Sequence, residues 1–211
     1  MLYFSDWERI LMTSVRLIKD NSKMLSELDS IIGDGDHGIT IERIANVIET
    51  SIETWDHDKL GIKEMLESLG WKIMDVNGGS AGPLWGTMFI GLSNGLENEK
   101  EVDEDSLKKM FKSSLKAMKE ISDARVGDKT MMDVLIPVVE TIRNSDDDIP
   151  TMLKKVAKVA NEAANDTAKY AAKFGRAKNL KAKSIGHKDP GAVSLSLLFI
   201  GLAEGLESNN P

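Results

Sequence analysis

The sequence predicts an all-α fold built from eight amphipathic helices. Three observations predict it: apolar residues recur at helical spacing, aromatic residues make up only 5% of the 211 residues, and Ala, Leu, Ile and the 11 Met are abundant. This composition favours helices over β-sheets, and no segment is a convincing strand. Because the composition does not change along the chain, we expect residues 1–211 to form a single domain.

The first four helices are recognised by their apolar faces and the residues that begin them. Ser5 and Glu8 have the spacing of a capping box, and Thr40 can cap the second helix. The fourth helix is almost entirely apolar and is expected to be deeply buried. The four predicted helices span approximately residues 5–28, 40–52, 58–74 and 82–96.

The last four helices also have clear beginnings. Three consecutive acidic residues from Asp103 suit the positive end of a helix dipole, Pro150 suits a first turn, and Asp189 followed by Pro190 is typical of a helix start. A glycine at position 175 can end the seventh helix. The four predicted helices span approximately residues 103–118, 130–143, 150–174 and 190–200.

The connections between helices are of two kinds. The loops after the first, third, fifth and seventh helices are polar and mostly rich in glycine, whereas the other three are short and carry no special chemistry. Short connections favour antiparallel neighbours, so the four unusual loops would lie at the same end of the fold. We expect them to form one site. The alternative is that they are merely flexible connectors.

Charge and composition exclude several classes of function. A formal net charge of -7 makes nucleic acid an unfavourable partner. The absence of cysteine excludes disulfides and thiolate chemistry. The N-terminus lacks the basic and apolar regions of a signal peptide, and we expect no later segment to span a membrane. The sequence therefore favours a cytoplasmic protein.

The first unusual loop concentrates carboxylates. Asp29, Asp34 and Asp36 lie within eight residues and would repel one another unless a hard cation neutralised them. They are the predicted Mg²⁺ ligands, and a solvated acidic turn is the alternative. The helix N-termini near residues 38–40 and 80–81 can direct backbone N–H groups at phosphate oxygens. The patterns of a Rossmann fingerprint, an EF-hand and a Walker A motif are not satisfied.

Histidines and basic residues add to the same loops. We expect His37 to contact phosphate, and the role of His187 stays open. Residues 173–188 contain five lysines and Arg176 but no acidic residue before Lys188. Such a segment is usually solvated, but beside a phosphate site it could close over a nucleotide, with Arg176 as the best candidate for contact.

Four motifs together resemble the nucleotide-binding L subunit of dihydroxyacetone kinases, over residues 29–202. The motifs read GDGDHG at 33–38, GGSAGPLWGT at 78–87, GDKTMMDV at 127–134 and SIGHKDPGA at 184–192. The resemblance implies a closed barrel of eight antiparallel helices with ADP or ATP at one end, held through two Mg²⁺. It makes Asp29, Asp34 and Asp36 the metal ligands. It implies nucleotide contacts by His37, Gly38, Ile39, Thr40, Ser80, Ala81, Thr130, Arg176, Asp189, Pro190 and Gly191.

The resemblance leaves two enzymatic functions open. In one, a phosphohistidine protein of the phosphotransferase system (the M subunit) phosphorylates bound ADP, and the phosphoryl group passes to dihydroxyacetone held by a K subunit. In the other, the chain serves an ATP-dependent kinase for dihydroxyacetone or another small substrate. The length of the chain favours the first. A third, non-enzymatic hypothesis is a helical metal-binding or adaptor module.

Overall fold

The computed structural model describes residues 1–207, which contain nine α-helices and two 3₁₀ segments. Within this range the backbone forms no strand, and its only bridge joins Leu2 to Val102. The 3₁₀ segments are Thr167–Lys169 and Arg176–Ser184. The helices are α1 Phe4–Asp20, α2 Ser22–Ile32, α3 His37–Glu53, α4 Ile62–Met74, α5 Ala81–Ser93, α6 Glu104–Ile121, α7 Met132–Arg143, α8 Ile149–Asp166 and α9 Pro190–Glu207.

Eight of the helices form a closed ring, as predicted. Contacts run from α1 to α3 and then through α4, α5, α6, α7 and α8 to α9, which packs back against α1. The first predicted helix is two helices, because the chain breaks at Asn21, whose side-chain amide donates to the carbonyl of Leu17 at 2.8 Å. The extra helix α2 packs against α3 outside the ring. The predicted count of eight therefore describes the barrel.

The barrel interior is one continuous hydrophobic core. Trp7, Trp85, Phe89 and Phe199 are all at most 2% exposed. As predicted, the apolar helix α5 is deeply buried, with eight of its 13 residues in the interior. Small residues let neighbouring helices come close. A Cβ atom added to Gly86 of α5, for example, would lie 2.7 Å from the carbonyl oxygen of Gly70 in α4.

Several predicted helix boundaries are wrong. Helix α3 begins at His37, before the predicted cap Thr40, and α4 begins at Ile62 instead of residue 58. The largest error concerns α8, which ends at Asp166 and not near Gly175. Its end is fixed by Thr167, which is fully buried and whose hydroxyl donates to the carbonyl of Ala164 at 2.6 Å. Residues 167–189 are consequently a connection with two 3₁₀ segments, and they do not continue α8.

Helix α9 bears on the expectation that no segment spans a membrane. It is long and apolar enough to cross a membrane by length and composition, although no such segment was expected. However, 67% of this helix is buried inside the fold. Its apolar residues are explained by contact with α1 and α8 on either side, so it is a core helix of the barrel.

Candidate functional site

A cavity of about 510 Å³ opens at one end of the barrel. Residues from all four unusual loops line it, as their alternation along the chain predicts. The loops precede α3, α5, α7 and α9, so four helix N-termini meet there. The N-terminal end of a helix carries partial positive charge and free backbone N–H groups. The end of the barrel is therefore suited to bind an anion, phosphate in particular.

The three predicted metal ligands form a cluster at the edge of this cavity. Asp29 lies in the last turn of α2, and Asp34 and Asp36 lie in the loop that follows. Each residue offers a carboxylate oxygen within 4.8 Å of the others. Asp29 is oriented by the backbone, because its Oδ2 accepts hydrogen bonds from the N–H groups of Asp36 at 3.0 Å and His37 at 3.2 Å.

This donor set fits Mg²⁺. The ion prefers carboxylate oxygens and near-octahedral geometry, in which opposite oxygens lie about 4.2 Å apart. Because carboxylate oxygens of Asp29, Asp34 and Asp36 lie within 4.8 Å of one another, one ion can be shared by all three residues. Asp34 and Asp36 are exposed, which leaves room for water and phosphate oxygens to complete the coordination.

Arg176 reaches the acidic cluster from the connection between α8 and α9. Its guanidinium pairs with the carboxylate of Asp34, and the same Nη1 atom lies 3.9 Å from a carboxylate oxygen of Asp36. The preceding Gly175 has a φ of 62°, a conformation that glycine adopts without strain. A guanidinium that is balanced here by carboxylates could equally bind phosphate oxygens.

Glycines allow the second loop to approach α3. Gly78 has a φ of 143°, and a Cβ atom added there would lie 2.2 Å from the hydroxyl oxygen of Thr40. A larger residue would push this loop away from the start of α3. The loop leads into Ser80, the N-cap of α5, and both Ser80 and Ala81 line the cavity.

His37 connects two helices that meet at the cavity. Its Nε2 atom lies 3.0 Å from the hydroxyl oxygen of Ser194 in α9. Burial lowers the pKa of His37, although the charges of Asp29 and Asp36 act in the opposite direction. The imidazole is therefore neutral near pH 7. It lines the cavity, but one of its two nitrogens is engaged with α9.

Two further carboxylates lie at the starts of α7 and α9, and of the two only Asp189 lines the cavity. Asp133 is 2% exposed and accepts hydrogen bonds from the N–H groups of Gly127 at 2.6 Å and Thr130 at 2.7 Å. Burial raises its pKa. Asp189 caps α9 by accepting from the N–H of Ala192 at 2.7 Å. Burial raises the pKa of Asp189 to about 7, with further contributions from the charges of Asp133 and Asp29.

Twelve of the 14 predicted site residues line this cavity. They are Asp29, Asp34, Asp36, His37, Thr40, Ser80, Ala81, Thr130, Arg176, Asp189, Pro190 and Gly191. The other two lie elsewhere. Gly38 is buried against α2, where an added Cβ would lie 1.9 Å from the carbonyl oxygen of Ser22, and the side chain of Ile39 is 53% exposed. Any nucleotide contact by these two residues would involve their backbone N–H groups.

Sequence reasoning missed several lining residues. Lys129 is 2% exposed, with a φ of 63° that is unusual for any residue other than glycine. Its position within a recognised motif was the available signal, but its burial could not be read from the motif. Ile121 and Phe174 also line the cavity and are 53% and 38% exposed. Both residues place apolar, partly exposed side chains at the cavity wall.

The chain is similar in sequence to proteins of known function. A family model described as the DAK2 domain matches residues 31–204. The chain is 33% identical over 202 residues to the ADP-binding subunit DhaL of PEP-dependent dihydroxyacetone kinase 1 from Listeria innocua, covering 94% of this chain and 96% of that protein. It is 30% identical over 198 residues to L-erythrulose 1-kinase from Mycolicibacterium smegmatis, covering 93% of this chain and 35% of that protein.

One solved structure supports the comparison of folds. The dihydroxyacetone kinase from C. freundii, determined in complex with AMP-PNP and Mg²⁺, superposes with a TM-score of 0.71 at 26% identity. The match covers 93% of this chain and 33% of that one. The barrel described above thus corresponds to about a third of a larger kinase, whereas the Listeria protein has nearly the same length as the matched region.

Proposed function

The chain belongs to the DAK2-domain family, and on that premise we propose that it is the nucleotide-binding subunit of a phosphoenolpyruvate-dependent dihydroxyacetone kinase. The observation that carries the proposal is the convergence of an acidic cluster, an arginine and four helix N-termini on one cavity. An acidic cluster alone repels a nucleotide, but it attracts one once it holds a divalent cation. The barrel would act as one nucleotide-binding domain in the cytoplasm.

Each part of the wall has a role in this proposal. Asp29, Asp34 and Asp36 would hold Mg²⁺, which neutralises phosphate charge when bound. Their six carboxylate oxygens are enough for two ions, the number that the family resemblance implies. Arg176 would exchange its carboxylate partner for a phosphate oxygen when a nucleotide enters. The N–H groups at the starts of α3, α5 and α9 would bind the remaining phosphate oxygens.

The proposed reaction relays a phosphoryl group between two partner proteins. It passes from a phosphohistidine on a donor M subunit to ADP, and then to a hydroxyl of dihydroxyacetone on a K subunit. The chain needs no nucleophile of its own, because stabilising charge and holding the reactants in line supply most of the catalysis of phosphoryl transfer. Its residues bind, orient and exclude water.

Exposed apolar side chains at the rim of the cavity favour the binding of a partner protein. Ile31 and Ile39 flank the acidic loop, and Ile121 and Phe174 line the cavity wall. These four side chains are between 38% and 53% exposed. Exposed apolar groups grouped around a site are typical of a surface that another protein covers. A K subunit docked here would bring its substrate to the nucleotide and close the site to water.

The alternative function is a subunit of an ATP-dependent kinase for dihydroxyacetone or another small substrate. The similarity to L-erythrulose 1-kinase favours this alternative. The two functions differ in how the nucleotide is used. A relay subunit retains ADP between turnovers, whereas an ATP-dependent kinase exchanges it with free ATP in every cycle.

Reconstitution tests the proposal. The chain would be combined with a K subunit and dihydroxyacetone, and dihydroxyacetone phosphate would be measured with ATP alone or with phosphoenolpyruvate and the phosphotransfer proteins. We expect product only with the second donor, and slow release of labelled ADP. Turnover with ATP alone and rapid ADP release would favour the alternative. A chain that binds no ADP in the presence of Mg²⁺ would contradict both.

A further inference from the structure

The connection between α8 and α9 forms a closed loop whose two ends lie together. We define the arginine loop as residues 168–186, which include Arg176 near the middle. The N–H of Gly186 donates to the carbonyl of Ala168 at 2.7 Å. Within the loop, the hydroxyl of Ser184 accepts from the N–H of Ala172 at 2.9 Å and donates to the carbonyl of Lys181 at 2.6 Å. The loop is therefore held together by hydrogen bonds of its own backbone and of the Ser184 side chain.

A single buried ammonium group joins both ends of the arginine loop. The Nζ atom of Lys129 donates to the carbonyl of Thr167 at 2.7 Å and also to the carbonyl of His187. These two residues stand immediately before and after the loop. Lys129 comes from a different part of the chain, the segment that leads into α7, so its contacts are tertiary and not local.

The neighbouring Asp128 holds the arginine loop at a third residue, Lys173. Its Oδ1 atom accepts from the Nζ of Lys173 at 2.5 Å, and its backbone carbonyl accepts from the N–H of Lys173 at 3.1 Å. Asp128 is only 6% exposed, so solvent screens this ion pair less than an exposed one. Lys173 precedes Arg176 by three residues, which places the fastening point close to the arginine.

The positive φ of Lys129 indicates that the lysine side chain has a role at this position. Lys129 has a φ of 63°, a region that favours glycine, and yet it carries a long side chain that is almost completely buried. Its neighbours are fixed independently, because Asp133 accepts from the N–H groups of Gly127 and Thr130. The segment that lines the cavity wall and the arginine loop are thus joined through adjacent residues of one rigid turn.

We propose that Asp128 and Lys129 are positioning residues that hold the arginine loop closed over the cavity, with Arg176 beside the acidic cluster. Lys129 fixes the two ends of the loop, Asp128 fixes the stretch before Arg176, and the 3₁₀ segment packs against α2 on the other side. The consequence for nucleotide retention rests on the proposed function. The closure of the loop does not, since it depends on the contacts that Asp128 and Lys129 make within the chain.

Hydrogen exchange followed by mass spectrometry tests the closure directly. In protein free of metal and nucleotide, Lys129→Met should raise the exchange rate of peptides within residues 168–186 about tenfold, as expected for losing a buried charged hydrogen bond. Exchange in α1, α5 and α9 should not change. Lys178→Met is the matched control, because Lys178 is an exposed lysine of the same loop. It should behave like the unsubstituted protein.

A second variant guards against misfolding. If Lys129→Met unfolds the barrel, Asp128→Asn carries the test, because it keeps a polar side chain of the same size and removes the charge that binds Lys173. Because an amide has one accepting oxygen in place of two, Asp128→Asn also gives up one of the hydrogen bonds from Lys173 and from the N–H of Arg125. The variant should raise exchange around residues 170–176. Exchange equal to that of the unsubstituted protein in every folded variant would overturn the proposal.

The functional arm measures release of ADP in the presence of Mg²⁺. Lys129→Met should speed dissociation about tenfold, as the loop opens more often, while the thermal midpoint of the helical signal stays close to that of the Lys178→Met control. Faster release of ADP without a lower thermal midpoint would show that Lys129 positions the loop. A purely structural role would lower the midpoint as well. Absence of ADP binding by the unsubstituted protein would overturn the proposed function, whereas unchanged loop exchange would overturn the positioning role alone.

Discussion

The Nε2 atom of His37 lies 3.0 Å from the hydroxyl oxygen of Ser194, and this contact joins the first residue of α3 to the second turn of α9. Both helices direct their N-termini at the cavity. Because Ser194 is fully buried and His37 lies at the cavity wall, the contact fixes the relative position of two helix N-termini at the cavity. The stability of the barrel and the shape of the site are therefore linked at this pair.

The Ser194→Ala variant should lower the free energy of unfolding by about 1 kcal/mol, because His37 Nε2 loses its hydrogen bond with a buried hydroxyl. Ser196→Ala is the matched control. Ser196 is also buried in α9, and its hydroxyl donates to the carbonyl three residues earlier, as that of Ser194 does. Urea unfolding at pH 7 measures both. Equal losses in the two variants would show that the His37 contact contributes nothing.

The Asp36→Asn variant should weaken the Mg²⁺ dependence of ADP binding at least about tenfold, since one of three neighbouring charges is removed. Glu97→Gln is the control, because Glu97 is exposed in the loop after α5, outside the cavity. Isothermal titration of ADP at several Mg²⁺ concentrations measures the effect. Identical Mg²⁺ dependence in both variants would argue that Asp36 is not a ligand.

The acidic cluster could be predicted because its members lie close in sequence. Asp29, Asp34 and Asp36 are separated by only a turn of helix and a short loop, so almost any fold would keep them together. The convergence of the four loops followed from the alternation of special and plain connections. These two features depend on local sequence and on the antiparallel packing of neighbouring helices, and both can be read without coordinates.

Other features depend on tertiary packing and left no local signal. The apolar periodicity continues through Asn21, so the break between α1 and α2 could not be seen. Gly38 stands in a motif that suggests phosphate binding, and the structure shows that its lack of a side chain also lets α3 pack on α2. Lys129 reads as a surface lysine, and only the fold shows that its ammonium is buried between two carbonyl groups.

The Gly86→Ala variant tests the close packing of α4 and α5. The added Cβ atom would lie 2.7 Å from the carbonyl oxygen of Gly70 and 2.9 Å from the backbone nitrogen of Met74, so the helices must separate. We expect a loss of about 2 kcal/mol in the free energy of unfolding. Gly61→Ala is the control, because its Cβ would meet only the flexible side chain of Glu64. A loss no larger than that of the control would contradict the packing argument.

The stability of the protein should depend on pH through Asp189. The carboxyl has a pKa of about 7 in the folded state, compared with 3.8 for the free side chain, chiefly because it is buried. Between these values the folded state binds more protons at this group than the unfolded state does. The contribution of Asp189 is therefore fully present below pH 3.8 and is lost as the pH rises to about 7.

The Asp189→Asn variant isolates this contribution, because an asparagine oxygen can still accept the hydrogen bond from the N–H of Ala192. Urea unfolding without divalent metal would be measured at intervals from about pH 5 to 8.5. The unsubstituted protein should lose stability relative to the variant up to about pH 7, and the difference should be constant above about pH 8. Titrating groups that do not interact with Asp189 cancel in the difference, whereas Asp133, Asp29 and Lys129 are coupled to its charge, so the difference reports the titration of Asp189 together with these groups. Parallel stability curves over the whole range would show that the carboxyl of Asp189 is already ionised in the folded protein at low pH.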